Sequence, residues 1–242
     1  MKIKFPLFLL FVFAFSSVAF AQTVVITPKK VTYKRPKPES EYKKSFVVTR
    51  PKVKASTPAL SRKIETAISY EKNNVLNIRD EINDAQWLDE ANYEVNYNKN
   101  GILDITLIAA GSGAYPSGFS KTIVVNEKTG NRVLSSDVFT NLAGLAAKAR
   151  KSQLAEIKKA RADYKKNPDS ADFDGSEYFD DAKFTTEELK NFSVSDKGVT
   201  FLYDYEFPHV VQELQPDGRY FFSWTELKPF IRRGGLLEQF IR

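Results

Sequence analysis

The residues of this chain that could do chemistry are few and scattered. His209, in Phe207-Pro208-His209-Val210-Val211, is the only histidine. One imidazole cannot build a histidine-rich metal site, but it suffices for a Ser-His-Asp triad. That triad would want a nucleophile elbow, and Gly111-Ser112-Gly113 has the wrong spacing for Gly-x-Ser-x-Gly. His209 therefore reads as a structural residue or a ligand contact. Ser170 to Asp181 echoes a calcium loop, with Asp172, Asp174 and Gly175 at loop positions three, five and six and Asp181 at twelve. Serine at the first position and a short carboxylate at the last depart from that pattern, and the segment reads as a solvated acidic loop. Gly111 to Gly118 lacks the Gly-Lys-Ser/Thr of a phosphate loop. It reads as a connection between strands, with Tyr115 offered at its tip as a binding residue. Asp180-Asp181 and Glu187-Glu188 are neighbours in sequence only, so no glycosidase geometry follows from them. These residues yield no catalytic residue, no metal site and no cofactor. Tyr115 and His209 are the ligand-binding candidates, and Asp172, Asp174 and Asp181 would be the metal candidates if there were one.

The elements around these residues follow from hydrophobic period and turn chemistry. Ser45 to Val53 reads as a strand. Ser56-Thr57-Pro58 starts a helix, with a hydroxyl cap followed by proline in the first turn. Helical spacing continues through Ile64, Ile68, Val75, Ile78 and Ile82, with Asn73-Asn74 as an interruption. Tyr93, Val95 and Tyr97 alternate, Asn100-Gly101 turns the chain, and Leu103 to Ala109 alternate again, a strong hairpin cue. Thr122 to Val125 adds a third strand, and Arg132 to Leu134 pairs back after Lys128-Thr129-Gly130. Thr140 caps a long helix running to about Lys166. Val199 to Phe207 alternates as one half-buried strand, and Pro216-Asp217-Gly218 turns into another over Arg219 to Trp224. The fold class is α+β: a mostly antiparallel sheet packed by two long helices.

Composition sets limits. With 42% hydrophobic and 13% aromatic residues the chain can bury a core, and its 19 Phe and 11 Tyr favour sheets. It has no cysteine, which removes disulfides, thiol nucleophiles and sulfur-ligated zinc. Between Thr23 and Ser56 stand ten Lys/Arg against two Asp/Glu, so the basic balance belongs to the front of the chain and argues against a nucleic-acid partner. Residues 22–44 read as a basic Pro/Lys-rich linker, extended by Pro28, Pro36 and Pro38 and by charge repulsion. Ahead of it, Lys2 and Lys4, the apolar run from Phe5 to Phe15 and Ala19-Phe20-Ala21 have the form of a secretory signal over residues 1–21. The expectation is an exported protein, periplasmic or extracellular, with no transmembrane span after cleavage and a single α+β domain over residues 45–242.

The order of the pieces is also familiar. Tyr93-x-Val-x-Tyr-Asn-x-Asn-Gly-Ile-Leu-x-Ile, Gly113-Ala-Tyr-Pro, Asn126-Glu-Lys-Thr-Gly, Leu134-Ser-Ser-Asp-Val-Phe and Ser223-Trp-Thr-Glu-Leu-Lys-Pro-Phe occur in series. This resembles the extracytoplasmic domain of unknown function shared by RsiV-type anti-sigma factors and some secreted peptidoglycan deacetylases, over about residues 45–231. The resemblance implies an α+β domain associated with cell-wall polysaccharide, or with a protein such as lysozyme that attacks it. The family often has histidine where Tyr115 stands, and no deacetylase domain is present, so no binding residue carries over. The expected function is a non-enzymatic domain that recognises peptidoglycan or an envelope protein. The alternatives are a glycan hydrolase or deacetylase-related enzyme, and a protein-inhibitor or assembly module without glycan affinity.

Overall fold

The computed structural model of the protein describes residues 24–166, 173 and 175–242. The expected signal segment and the metal candidates Asp172 and Asp174 lie outside the described residues. Eight strands are described: β1 (Val25–Lys34), β2 (Ser45–Lys54), β3 (Leu88–Lys99), β4 (Ile102–Ser112), β5 (Pro116–Asn126), β6 (Phe192–Ser195), β7 (Gly198–Leu202) and β8 (Arg219–Ser223). The helices are α1 (Pro58–Ala67), α2 (Ile78–Asn83), α3 (Ser135–Val138), α4 (Leu142–Tyr164), α5 (Ser176–Phe179) and α6 (Trp224–Leu227). The strands form a five-stranded sheet in the order β1-β2-β3-β4-β5 and a three-stranded sheet in the order β6-β7-β8. All pairings are antiparallel except β2 with β3, which the α1–α2 crossover joins in parallel.

Most of the expected local structure is present for the expected reasons. The β3–β4 hairpin turns on Asn100 and Gly101, both at positive φ (56° and 74°), as a two-residue turn requires. Thr57 caps α1, its Oγ1 accepting from the Leu60 N–H at 3.1 Å.

The basic front segment is a correction. Residues 25–34 are no tether: they pair along their whole length with β2, from Val25 opposite Lys54 to Lys34 opposite Ser45. Proline is tolerated because β1 is an edge strand. Arg35 is buried, where its guanidinium donates to the Glu81 and Leu88 carbonyls (2.8 and 2.7 Å) and to the Glu81 carboxylate (3.2 Å). Gln86 holds residues 37–39 through the Lys37 carbonyl and the Glu39 N–H.

Of the two long helices, one is present. α4 runs for 23 residues, burying Leu145, Ala146, Ala149, Ile157 and Tyr164. Its cap is Asn141, whose side chain accepts from the Gly144 N–H, while Thr140 is drawn away to the Phe230 carbonyl. The first helix stops at Ala67 because Tyr70 must enter the core, where its single hydroxyl hydrogen is shared between the Asn92 carbonyl (2.6 Å) and the Thr49 carbonyl (3.0 Å). Asn73 then binds the Ala67 and Ser69 carbonyls and Asn74 takes φ 55°, so helix resumes only at α2.

One face of the five-stranded sheet packs on α1 and the Tyr70–Leu76 turn through Phe46, Val48, Leu103, Ile105, Leu107 and Ile123. Part of the other face meets the three-stranded sheet and α4 through Tyr97, Ile102 and Val124. The fully buried Asp104 links the two sheets: it accepts from the Ser193 hydroxyl (2.6 Å), the Val194 N–H (2.6 Å) and the Asn96 amide (2.9 Å). Burial raises its pKa, and these three donors work against the rise. Among the described residues no helix is long and apolar enough to cross a membrane.

Candidate functional site

The expected strand from Val199 to Phe207 ends at Leu202, and the site is built where it stops. The alternation persists without a ladder: Tyr205 and Phe207 stay buried, packed against Phe179. A turn at Asp204 carries the segment off the sheet just after Tyr203, whose N–H still donates to the Gly218 carbonyl at 2.8 Å. The Asp204 carboxylate accepts from the Glu206 N–H at 2.9 Å, and Glu206 takes φ 55°. Gly218, at φ 65°, lies so close to the chain that a Cβ there would sit 2.0 Å from the Tyr203 carbonyl oxygen. Glu156 of α4 braces the same corner, accepting from the hydroxyls of Tyr205 (2.9 Å) and Tyr220 (2.8 Å) and from the Gly218 N–H (3.1 Å). Burial is the main reason both phenols are pushed far above their ordinary pKa, so they act as neutral donors.

Between this segment and the outer half of β5 lies an open cleft of about 710 Å³. Phe119 and Lys121 of β5 line it, with Phe119 47% exposed, together with Tyr178, Tyr203 and Gln215. Asp181, Glu188, Lys190 and Asp204 supply charge along it. Burial, and then the charges of Arg132 and Lys190, lower the Lys121 pKa, while Glu188 acts the other way. Gln215 is oriented by the Phe207 N–H, which it accepts at 2.8 Å, and it donates to Asp204 at 3.3 Å.

The structure brings the two ligand-binding candidates together. Tyr115 and His209 stack with ring centroids 4.9 Å apart and planes 25° from parallel. Their contact joins the tip of the β4–β5 hairpin to the 3-10 turn over His209–Leu214, directly before Gln215 of the cleft. Tyr115 remains 63% exposed. The expected Gly111–Gly118 connection is mostly strand, with its bend confined to residues 113–115. Asp181 lines the cleft, and its neighbour Asp180 pairs with Arg161 at 3.0 Å. Among the described residues, no three His, Cys, Asp or Glu side chains are grouped to hold a metal ion.

Phe119, Tyr178, Tyr203 and Gln215 escaped the sequence reading. No local signal marks Phe119, since its exposure and the edge position of β5 are set by the fold. Tyr203 read as ordinary strand alternation. The arrangement offers aromatic faces beside carboxylates, an amide and ammonium groups, which suits the grip of an amphipathic ligand.

An α+β domain with such a cleft between its two sheets invites comparison with known proteins. No family model matches the sequence, and no curated protein matches it. Among solved structures the chain is similar to a member of the DUF3298 family from Bacteroides fragilis NCTC 9343, with a TM-score of 0.55 and 12% identity over 90% of this chain and 98% of that one. It is also similar to a DUF3298 family protein from Pseudomonas aeruginosa PAO1, at 12% identity and a TM-score of 0.49, over 86% of this chain and 94% of that one. At such identities the likeness is one of fold, and the fold it shows is that of a domain of unknown function.

Proposed function

We propose that this protein is an exported, non-enzymatic binding module whose cleft takes a strand of cell-wall glycan. The supporting observation is the cleft's lining: exposed Phe119 borders it together with Tyr178 and Tyr203, and Gln215, Asn191 and carboxylates add groups that can bond hydroxyls. Sugar rings offer apolar faces to aromatic side chains and a polar edge to amides and carboxylates, and such pockets work by shape and stacking. The secretory pattern at the start of the chain and the resemblance to envelope-associated domains point the same way.

The test is co-sedimentation of the protein with purified peptidoglycan at low and high salt, alongside Phe119→Ala and Tyr203→Ala. The expected outcome is salt-resistant pelleting that each substitution weakens about tenfold, as loss of a stacked aromatic anchor does. Binding that vanishes at high salt and ignores both substitutions overturns the reading. A wall-active protein such as lysozyme then becomes the ligand to test. Release of new reducing ends or of acetate from the wall would make the protein an enzyme instead.

A further inference from the structure

A second pocket, of about 430 Å³, lies between the C-terminal end of α1 and the turn that follows β5. Its charged lining is wholly basic: Arg62, Lys63, Lys72 and Arg132, with no carboxylate among its wall residues. Carboxylates do stand nearby, but β2 has already taken them. Glu65 pairs with Lys52 at 3.0 Å and accepts from the Val53 N–H, and Glu71 pairs with Arg50 at 2.5 Å. None of the four lining cations makes an ion pair among the described residues. The pocket is held in shape by the turn, since Gly130 sits against Leu60 and Lys63 of α1 with no room to spare. Arg132, half-buried beside its bridge to Val125, forms the floor, while the other three stand exposed around it.

Four cations held together without a counter-charge repel one another and raise the local concentration of anions. A planar guanidinium at the floor offers paired donors that match an oxyanion, and lysines at the rim supply point charge. We propose that this pocket is a binding site for a phosphate-class oxyanion, with Arg132 as the anchor and Arg62, Lys63 and Lys72 closing around it. The phosphate can come free in solution, on a wall polymer or on a lipid headgroup, and all share the same chemistry. The site uses no residue of the aromatic cleft, so it stands whether or not the glycan reading holds.

Titration of the full chain with inorganic pyrophosphate at low salt, followed by calorimetry, reads the site directly. Arg132→Gln is expected to weaken binding about tenfold, and Lys72→Gln by several-fold, since each removes a charged hydrogen bond or a unit of attraction. Lys151→Gln, on the exposed side of α4, removes the same unit charge elsewhere and should change nothing. The exposed Lys72 also guards the test against misfolding at Arg132, and a melting curve checks both variants. Equal weakening by all three substitutions would reduce the effect to net charge and overturn the proposal, as would unchanged binding in Arg132→Gln and Lys72→Gln. A parallel arm uses phosphatidylcholine vesicles with and without phosphatidylglycerol. Binding to the anionic vesicles that Arg132→Gln abolishes assigns the phosphate to a headgroup, and pyrophosphate binding without vesicle binding assigns it to a soluble or wall-borne source.

Discussion

The two sheets of this molecule bury their polar groups by opposite means. Around β1 to β5 the core is mostly aliphatic, valine, isoleucine and leucine packed around Phe46 and Tyr70, and Arg35, its one deeply buried cation among the described residues, is matched by Glu81 and by three backbone carbonyls. Around β6 to β8 the core is aromatic, with Phe139, Phe184, Phe192, Phe201 and Phe222 in mutual edge and tilted contacts, and Glu156 is matched by neutral tyrosine hydroxyls. The difference has a functional side. Aliphatic packing ends at the sheet, whereas aromatic packing continues outward through Tyr203 and Tyr178 to become the wall of the cleft. The aromatic wall of the cleft is thus an extension of one core, and the basic pocket lies beside the other.

The sharpest way to break this contrast is to remove the charge of the first region. Arg35→Ala leaves Glu81 buried without its cation, and a loss of about 3–5 kcal/mol is expected in urea or thermal unfolding. A loss near zero would show that the front segment is a detachable strap. Next in size is the link between the regions. Asp104→Asn keeps the volume, but if its amide oxygen goes on accepting from Ser193 and the Val194 N–H, its NH2 group meets the Asn96 amide donor against donor, at a cost of about 1–3 kcal/mol. If the halves are joined mainly through Asp104, the single unfolding transition should also separate into two, visible by comparing tryptophan fluorescence with calorimetry.

A smaller effect is expected in the second region. Tyr220→Phe removes one hydroxyl from Glu156 while Tyr205 keeps its own bond, so stability should fall by only about 0.5–1.5 kcal/mol. The smallest effect belongs to pH. Burial tends to raise the Asp89 pKa, but the hydrogen bonds from Lys43 and Ser112 outweigh it and hold the carboxyl below the usual range. A depressed folded pKa means stability that is present above the unfolded value of about 3.9 and lost as the pH falls through the folded one. The difference in melting temperature between the wild type and Asp89→Asn should therefore close below about pH 4, and one that persists in acid would refute the assignment.

The hairpin from Tyr93 to Ala109 was legible because its signals are local: period-two alternation and a turn whose residues tolerate positive φ. So were the start of α1 and the body of α4, whereas Tyr115 and His209 stood out only singly. Their stacking was not legible, since it joins residues brought together only by the docking of two sheets. β1 was misread for a physical reason. Lysine and proline mark solvated linkers, but an outermost strand with only one bonded side tolerates the same residues. The second long helix was lost at Tyr70, because a buried hydroxyl bridging two strands outweighs helical spacing. The extra length given to β7 came from an alternation that is real in burial but has no partner strand.

The placement of proline on β1 has a bearing on how these molecules behave in company. Pro28 stands opposite Pro51, flanked by Lys29 and Lys30, at the outer margin of a ten-residue strand. A bare strand of that length is a template on which a second copy could lay its own backbone and begin a fibre. Proline has no N–H to offer such a newcomer, and two adjacent ammonium groups repel an identical pair arriving in register. The features that make this strand look like a tether are thus the same ones that oppose edge-to-edge pairing between crowded copies.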